Sequence, residues 1–302
     1  MSENETGAGA ATGGLERRGL MRRFGAGMAS AAALGAVSAG GLTLGSRPAR
    51  AQAITDGDIF NFALNLEYLE AEYYLRAVTG QGLPSSLTGG SGTQGSVTGG
   101  SVVPFQTPAV AYYAERIAND ELAHVRFIRD VLGSSSVAEP TIDLTTSFTT
   151  LAMAAGLISS GQTFNPFASE VDFLLGAYIF EDVGVTAYAG AAAALTAATS
   201  ITYAASILAV EAYHAGAIRG YLSNIGAGAA TDAISALRAT LSGVADDNGT
   251  NAQGNPYNFS NVDYNGLCYR RTPQQVLSIV YAGGTNGGLF FPNGLNGAVT
   301  VA

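Results

Sequence analysis

Residues 119–126 read NDELAHVR and residues 209–216 read AVEAYHAG, which sets Glu121 three positions before His124 and Glu211 three before His214. On an α-helix, positions i and i+3 share a face about one turn apart, so a carboxylate and an imidazole at that spacing can reach one metal ion together. Two such helices, each joined by a partner helix carrying another Glu, are the parts of a carboxylate-bridged dimetal site in a four-helix bundle. Only two histidines occur in 302 residues, and both stand in this motif. A single Glu-x-x-His is more often a solvated helical pair than a ligand set; its repetition turns the reading toward metal.

Working outward, each motif is preceded by a helical pattern with its own buried-type carboxylate. From Thr55 to Gly80, Phe60, Ala63, Leu64, Glu67, Glu70, Ala71, Tyr74 and Val78 recur at three and four and share a face. A second helix is expected over about 108–132, a third over about 169–195 with Leu174, Ala177, Glu181, Gly184, Tyr188 and Ala191 aligned, and a fourth over about 200–225. Glu67 and Glu181 each have a Tyr seven residues on, Tyr74 and Tyr188. Two helical turns place such a phenol beside the site, able to hydrogen-bond a ligating carboxylate from the opposite side. The candidate ligand set is therefore Glu67, Glu121, His124, Glu181, Glu211 and His214. Four carboxylates buried together need cations, and two divalent ions supply them; mixed oxygen and nitrogen ligation suits Fe or Mn without choosing between them.

Three further residues are placed around that set. Asp120 is expected to accept from the non-ligating nitrogen of His214, whereas Val210 holds the equivalent place in the second motif. Glu70, one turn from Glu67, is either an extra ligand or a surface carboxylate, and Glu72 reads as solvated. Two helices, a long crossover and two more helices make an all-α four-helix bundle over 54–226. A fifth helix near 230–241 and an irregular tail to 302 follow, the tail broken by a short helix that Thr272-Pro273-Gln274-Gln275 starts. Residues 80–107 read as a flexible Gly/Ser/Thr loop; its GSGTQG string lacks the strand and helix that a phosphate-binding loop requires.

Composition excludes several classes. Lysine is absent and net charge is −9; residues 1–53 contribute six Arg and three Glu, so a chain starting at Ile54 carries −12. Such a body repels phosphate backbones, which argues against nucleic acid. The lone Cys268, expected to be buried, rules out an internal disulfide framework and any module needing several thiolates. Glu16-Arg17-Arg18-Gly19-Leu20-Met21-Arg22, the uncharged stretch from Phe24 to Ser46 and Ala51-Gln52-Ala53 together read as a twin-arginine-type export signal cleaved before Ile54. Export outside the cytoplasm, with no stable membrane insertion after cleavage, is the expectation; a retained anchor is the alternative.

The segments ALNLEYLEAEYYLRA (63–77), DELAHVRFIR (120–129), FEDVGVTAYAGA (180–191), LAVEAYHAGAIRGYL (208–222), RTPQQVLSIVY (271–281) and GGLFFPNGLNG (287–297) resemble the ferritin-like family of desiccation-related proteins, from about Phe60 to Gly297. The resemblance implies a ferritin-like fold, export, and a role in dehydration or oxidative stress. Redox chemistry on a small oxidant, peroxide or dioxygen, is what the wider superfamily adds. A metal-stabilised protein that protects without turnover is the competing expectation, and self-association is left open.

Overall fold

The computed structural model describes residues 53–251 and 257–302; the expected export signal, apart from Ala53, lies outside them. Seven α-helices are present among the described residues: α1 (Asp56–Thr79), α2 (Pro108–Leu132), α3 (Thr146–Ala154), α4 (Glu170–Ala191), α5 (Ala198–Asn224), α6 (Gly228–Ser242) and α7 (Pro273–Val280). None of them is long and apolar enough to cross a membrane.

Local chemistry sets the ends of the bundle helices. Thr55 and Asp58 form a reciprocal capping box at the start of α1, and Gly80 closes it at φ 75°, a left-handed conformation that costs glycine nothing. Pro108 opens α2, where its missing N–H is not needed, and Ser169 accepts from Asp172 N to cap α4. Helix α4, the third of the bundle, stops at Ala191, short of the expected Leu195, and Asp56 accepts from Thr196 N at 2.9 Å and Ala197 N at 3.0 Å, fixing the turn into α5.

Helices α1, α2, α4 and α5 form the bundle, α1 packing on α2 and α4 on α5. The crossover between α2 and α4 carries α3 and a two-residue strand, β2 (Ile142–Asp143), paired in parallel with β1 (Val97–Thr98). The 80–107 loop is thus tied down along its length: Ser91 N donates to Ser136 O, Gly95 N to Glu139 O and Val103 N to Ala77 O. α1 and α4 are buried on nearly every side, because the crossover, the loop and the tail cover what the bundle leaves open. Phe290 of the tail packs on Phe148 and Phe180 at ring separations of 5.1 and 4.9 Å. Asn65 on α1 exchanges two hydrogen bonds with the backbone of Asn296, fixing the tail's register.

Two expectations are corrected here. Glu72 is buried rather than solvated: it pairs with Arg76 at 2.6 Å and accepts from Leu83 N at 2.6 Å, so its charge is satisfied by the loop folding back. Cys268 is a partly exposed free thiol, not a core residue. A buried ion network, unannounced by any local motif, joins the bundle to the tail. Arg219 (α5) and Arg238 (α6) both reach Asp182 (α4), at 2.7 and 2.9 Å, and Arg271 reaches Asp246 and Asp247 at 2.8 and 2.9 Å. Removing one member of such a buried set leaves an uncompensated charge, at a cost of about 3–5 kcal/mol.

Candidate metal centre

The four bundle helices bring six predicted residues to one place. Glu67, Glu121, Glu181 and Glu211 are each at most 1% exposed. His124 Nδ1 lies 3.2 Å from Glu67 Oε2, 3.3 Å from Glu121 Oε2 and 3.5 Å from Glu211 Oε1. His214 Nδ1 lies 3.0 Å from Glu121 Oε1 and 3.4 Å from Glu181 Oε2. Two groups follow, each with donor atoms inside a 4.8 Å sphere of one another: Glu67, Glu121, His124 and Glu211, and Glu121, Glu181 and His214. Glu121 belongs to both and turns one oxygen toward each imidazole.

The donor set fits a metal on its own chemistry. Glu121 Oε1, Glu181 Oε2, both oxygens of Glu211 and His214 Nδ1 are buried without a hydrogen-bond partner. Glu121 Oε1 and His214 Nδ1 are close but not aligned as donor and acceptor, the arrangement of two lone pairs aimed at a shared third partner. Without a cation, protons do its work. Burial pushes Glu67 up to about 7, against the pull of His124. Burial and then the Glu121 charge push Glu70 and Glu211 well above the carboxylate range. Burial also raises Glu181, partly offset by His214. Glu121 is held low, since His124 and His214 together outweigh its burial. Against their own burial, the two imidazoles are pushed up to about 12, His124 by Glu67 and Glu121 and His214 by Glu181 and Glu121. Cation uptake at this cluster must therefore release protons.

The surrounding residues are crossed between the two halves. Tyr74 on α1 donates to Glu181 on α4, and Tyr188 on α4 donates to Glu67 on α1. Asp120 Oδ2 lies 3.3 Å from His214 Nε2, and Asp120 is also gripped by Arg116 at 2.6 Å. Val210 offers His124 nothing comparable. Glu70 is buried beside the cluster, not on the surface. It also borders a pocket of about 20 Å³, room for one water-sized molecule, lined by Leu66, Leu69, Phe180, Val183 and Gly184.

Two participants are given no role at the site by the sequence reading, although Gly184 stands on the face that carries Glu181. Arg116 stands four before Asp120, an i,i+4 pairing that spacing alone could have suggested. Gly184 stands three after Glu181, in the place that Glu70 holds after Glu67. A Cβ there would fall inside contact distance of Glu211 Oε2 and 3.5 Å from Glu70 Oε1, so the missing side chain makes room for both carboxylates. Aligning the two Glu-x6-Tyr helices would have exposed that difference.

Comparison with known proteins agrees with this architecture. No solved structure matches the chain. It is 29% identical over 270 residues to a protein of Nesocodon mauritianus described as ferritin-like catalase Nec2, covering 81% of this chain and 84% of that one. It is 33% identical over 173 residues to the desiccation-related protein PCC13-62 of Craterostigma plantagineum, covering 56% and 53% of the two chains. The family model of the ferritin-like domain matches residues 55–224, the span from the cap of α1 to the end of α5. The chain belongs to the ferritin-like domain family.

Proposed function

We propose that this protein is an exported dimetal-carboxylate enzyme that disproportionates hydrogen peroxide, using Glu67, Glu121, His124, Glu181, Glu211 and His214 to hold two divalent ions, Fe or Mn. The observation that carries the reading is the pair of imidazoles turned by Nδ1 into one buried carboxylate cluster, with Glu121 within reach of both. When bound, such ions supply reversible one-electron steps at each of two positions, the two electrons that one peroxide gives and a second takes as two peroxides become dioxygen and two waters.

The chain's own residues do the rest. Tyr74 and Tyr188 hold Glu181 and Glu67 by hydrogen bonds that keep each carboxylate turned to the site. Asp120 orients His214 through Nε2, so that Nδ1 is left free as a donor atom. Burial and then the Glu121 charge push the Glu70 carboxyl well above the ordinary carboxylate range, and the pocket it borders has room for one water-sized molecule. Apolar Leu66, Leu69 and Phe180 exclude bulk water there. The relative described as a catalase favours peroxide over dioxygen.

The relative described as desiccation-related favours the second reading, a metal-stabilised protein that protects without turnover. Oxygen evolution separates the two. Metal-loaded protein given peroxide should release one dioxygen per two peroxides, and Glu211→Gln, which removes an unpaired carboxylate, should abolish it. Loaded protein that is stabilised by metal yet evolves no oxygen would leave the protective reading standing. Export is tested separately: Arg17→Lys with Arg18→Lys should leave precursor in the cytoplasm, and unchanged export would contradict the signal.

A further inference from the structure

A groove of about 520 Å³, within the range of small-molecule sites, opens between the start of α3, the connection from α3 to α4 and the loop after β1. The proposed peroxide chemistry makes no use of it. Its floor is apolar, with Leu144 and Phe167 at most 4% exposed and Pro166 buried beside them. Its walls carry six hydroxyls, on Ser101, Thr145, Thr146, Thr149, Thr150 and Thr163, and the amide of Asn165. No lining residue is ionisable, in a chain whose net charge is −9. The hydrogen bonds within the walls decide what the groove can still receive. Thr145 Oγ1 donates to Asp143 Oδ1 at 2.6 Å, Thr146 Oγ1 donates to Asp143 Oδ2, and Thr149 Oγ1 donates to Phe164 O at 3.3 Å. Thr150 Oγ1 donates to Thr146 O at 2.9 Å. Each hydroxyl has one proton, and these four spend it inside the protein, so what they offer a ligand is lone pairs. Asn165 is the converse: its Oδ1 accepts from Phe167 N at 3.0 Å, which leaves its amide N–H groups to donate.

We propose that this groove binds a neutral pyranose sugar. The ligand must bring its own donors, because the threonine walls have spent theirs, and it must also accept from Asn165; ring hydroxyls do both. The C–H face of the ring suits the floor of Leu144, Pro166 and Phe167, where burial of apolar surface adds affinity. Other classes fit less well. An anion brings no donors, and the amides at the start of α3 that would receive one are already held: Asp143 Oδ1 accepts from Thr145 N at 2.6 Å and Thr146 N at 3.1 Å. A metal cation finds no carboxylate in the lining. A wholly apolar molecule would cover the wall lone pairs and leave them unpaired. A free sugar and the end of a polysaccharide present the same ring, and the length of the ligand separates them.

Amide NMR of the full chain, titrated with the methyl pyranosides of glucose, galactose and mannose, tests this independently of metal and turnover. At least one should give saturable shifts at residues 99–101, 144–150 and 163–167, with a Kd of about 1 mM or tighter. Thr150→Trp, at an exposed position on α3, fills the groove and should abolish those shifts. Asn165→Asp keeps the acceptor for Phe167 N but removes the donor, and should weaken binding by about tenfold or more. Thr240→Trp, exposed on α6, should change nothing. Once a sugar binds, equal affinity for its disaccharide and its hexasaccharide assigns a free sugar, and a preference for the hexasaccharide of about tenfold assigns the end of a polysaccharide. No saturable shift with any of the three pyranosides up to about 50 mM, binding indifferent to both groove substitutions, or inorganic phosphate bound more tightly at the same amides would each overturn the proposal. Circular dichroism of each variant separates loss of the groove from loss of the fold.

Discussion

Replacing Gly184 by Ala should strengthen the metal-free fold while weakening the metal site. Alanine is favoured over glycine inside a helix by about 1 kcal/mol, and Gly184 lies in the middle of α4. The new Cβ would intrude on Glu211 Oε2, the end of a flexible side chain. Neither Glu211 oxygen has a hydrogen bond to lose, so the carboxylate swings aside at little cost when no metal is present. The swing moves a donor atom by about 1 Å, and misplacement of that size costs on the order of a hundredfold in a positioned site. Scanning calorimetry with and without metal reads both effects. The metal-free protein should melt about 2–4 °C higher, the gain for roughly 1 kcal/mol in a domain of this size. The stabilisation added by metal should shrink, and titration should show the affinity of the position served by Glu211 reduced about a hundredfold. Unchanged metal affinity, or a metal-free protein that melts many degrees lower, would refute the reasoning.

Asp120→Ala should weaken one metal position by about ten- to a hundredfold and the other far less, because of the two imidazoles Asp120 reaches only His214; stepwise titration followed by spectroscopy would show two equal, unaltered positions if the idea is wrong. Tyr74→Phe and Tyr188→Phe each strip a donor from a buried carboxylate, so each should lower metal-free stability by about 1–3 kcal/mol in denaturant unfolding, and two neutral substitutions would count against the crossed hydrogen bonds. Away from the site, burial and then the neighbouring Glu72 push Glu139 up to about 8, so the folded chain holds a proton that the unfolded chain releases. The stability it lends is complete below the unfolded carboxyl range and is lost as pH rises through about 8. Glu139→Gln should therefore gain stability over the parent at about pH 9 and lose that advantage at about pH 5; parallel profiles would contradict this.

The bundle was legible because its signals are local. Pro108 and Gly133 punctuate α2, Thr272 and Gln275 form the capping box of α7, and the repeated Glu-x-x-His names two facing helices from spacing alone. What stayed hidden depends on partners far along the chain. Glu72 looks solvated until Leu83 N and Arg76 close over it. The loop's glycines read as flexibility, yet Gly90 and Gly95 are there because a Cβ would strike the backbone of residues 136–141. Asp182 gains its meaning only when Arg219 and Arg238 arrive from α5 and α6. Glu70 remained open between surface and site, since one helix cannot say what will cover it; α4, α7 and Phe290 settle its burial.

The central claim is that the buried cluster exists to hold metal, and the most direct measurement is elemental analysis of protein purified from its native host without chelators. Two ions of Fe or Mn per chain are predicted, falling to a fraction of that in Glu121→Ala, the residue that reaches both imidazoles. Protein that carries only trace metal, binds none when Fe or Mn is supplied, and melts at the same temperature with and without chelator would contradict the account.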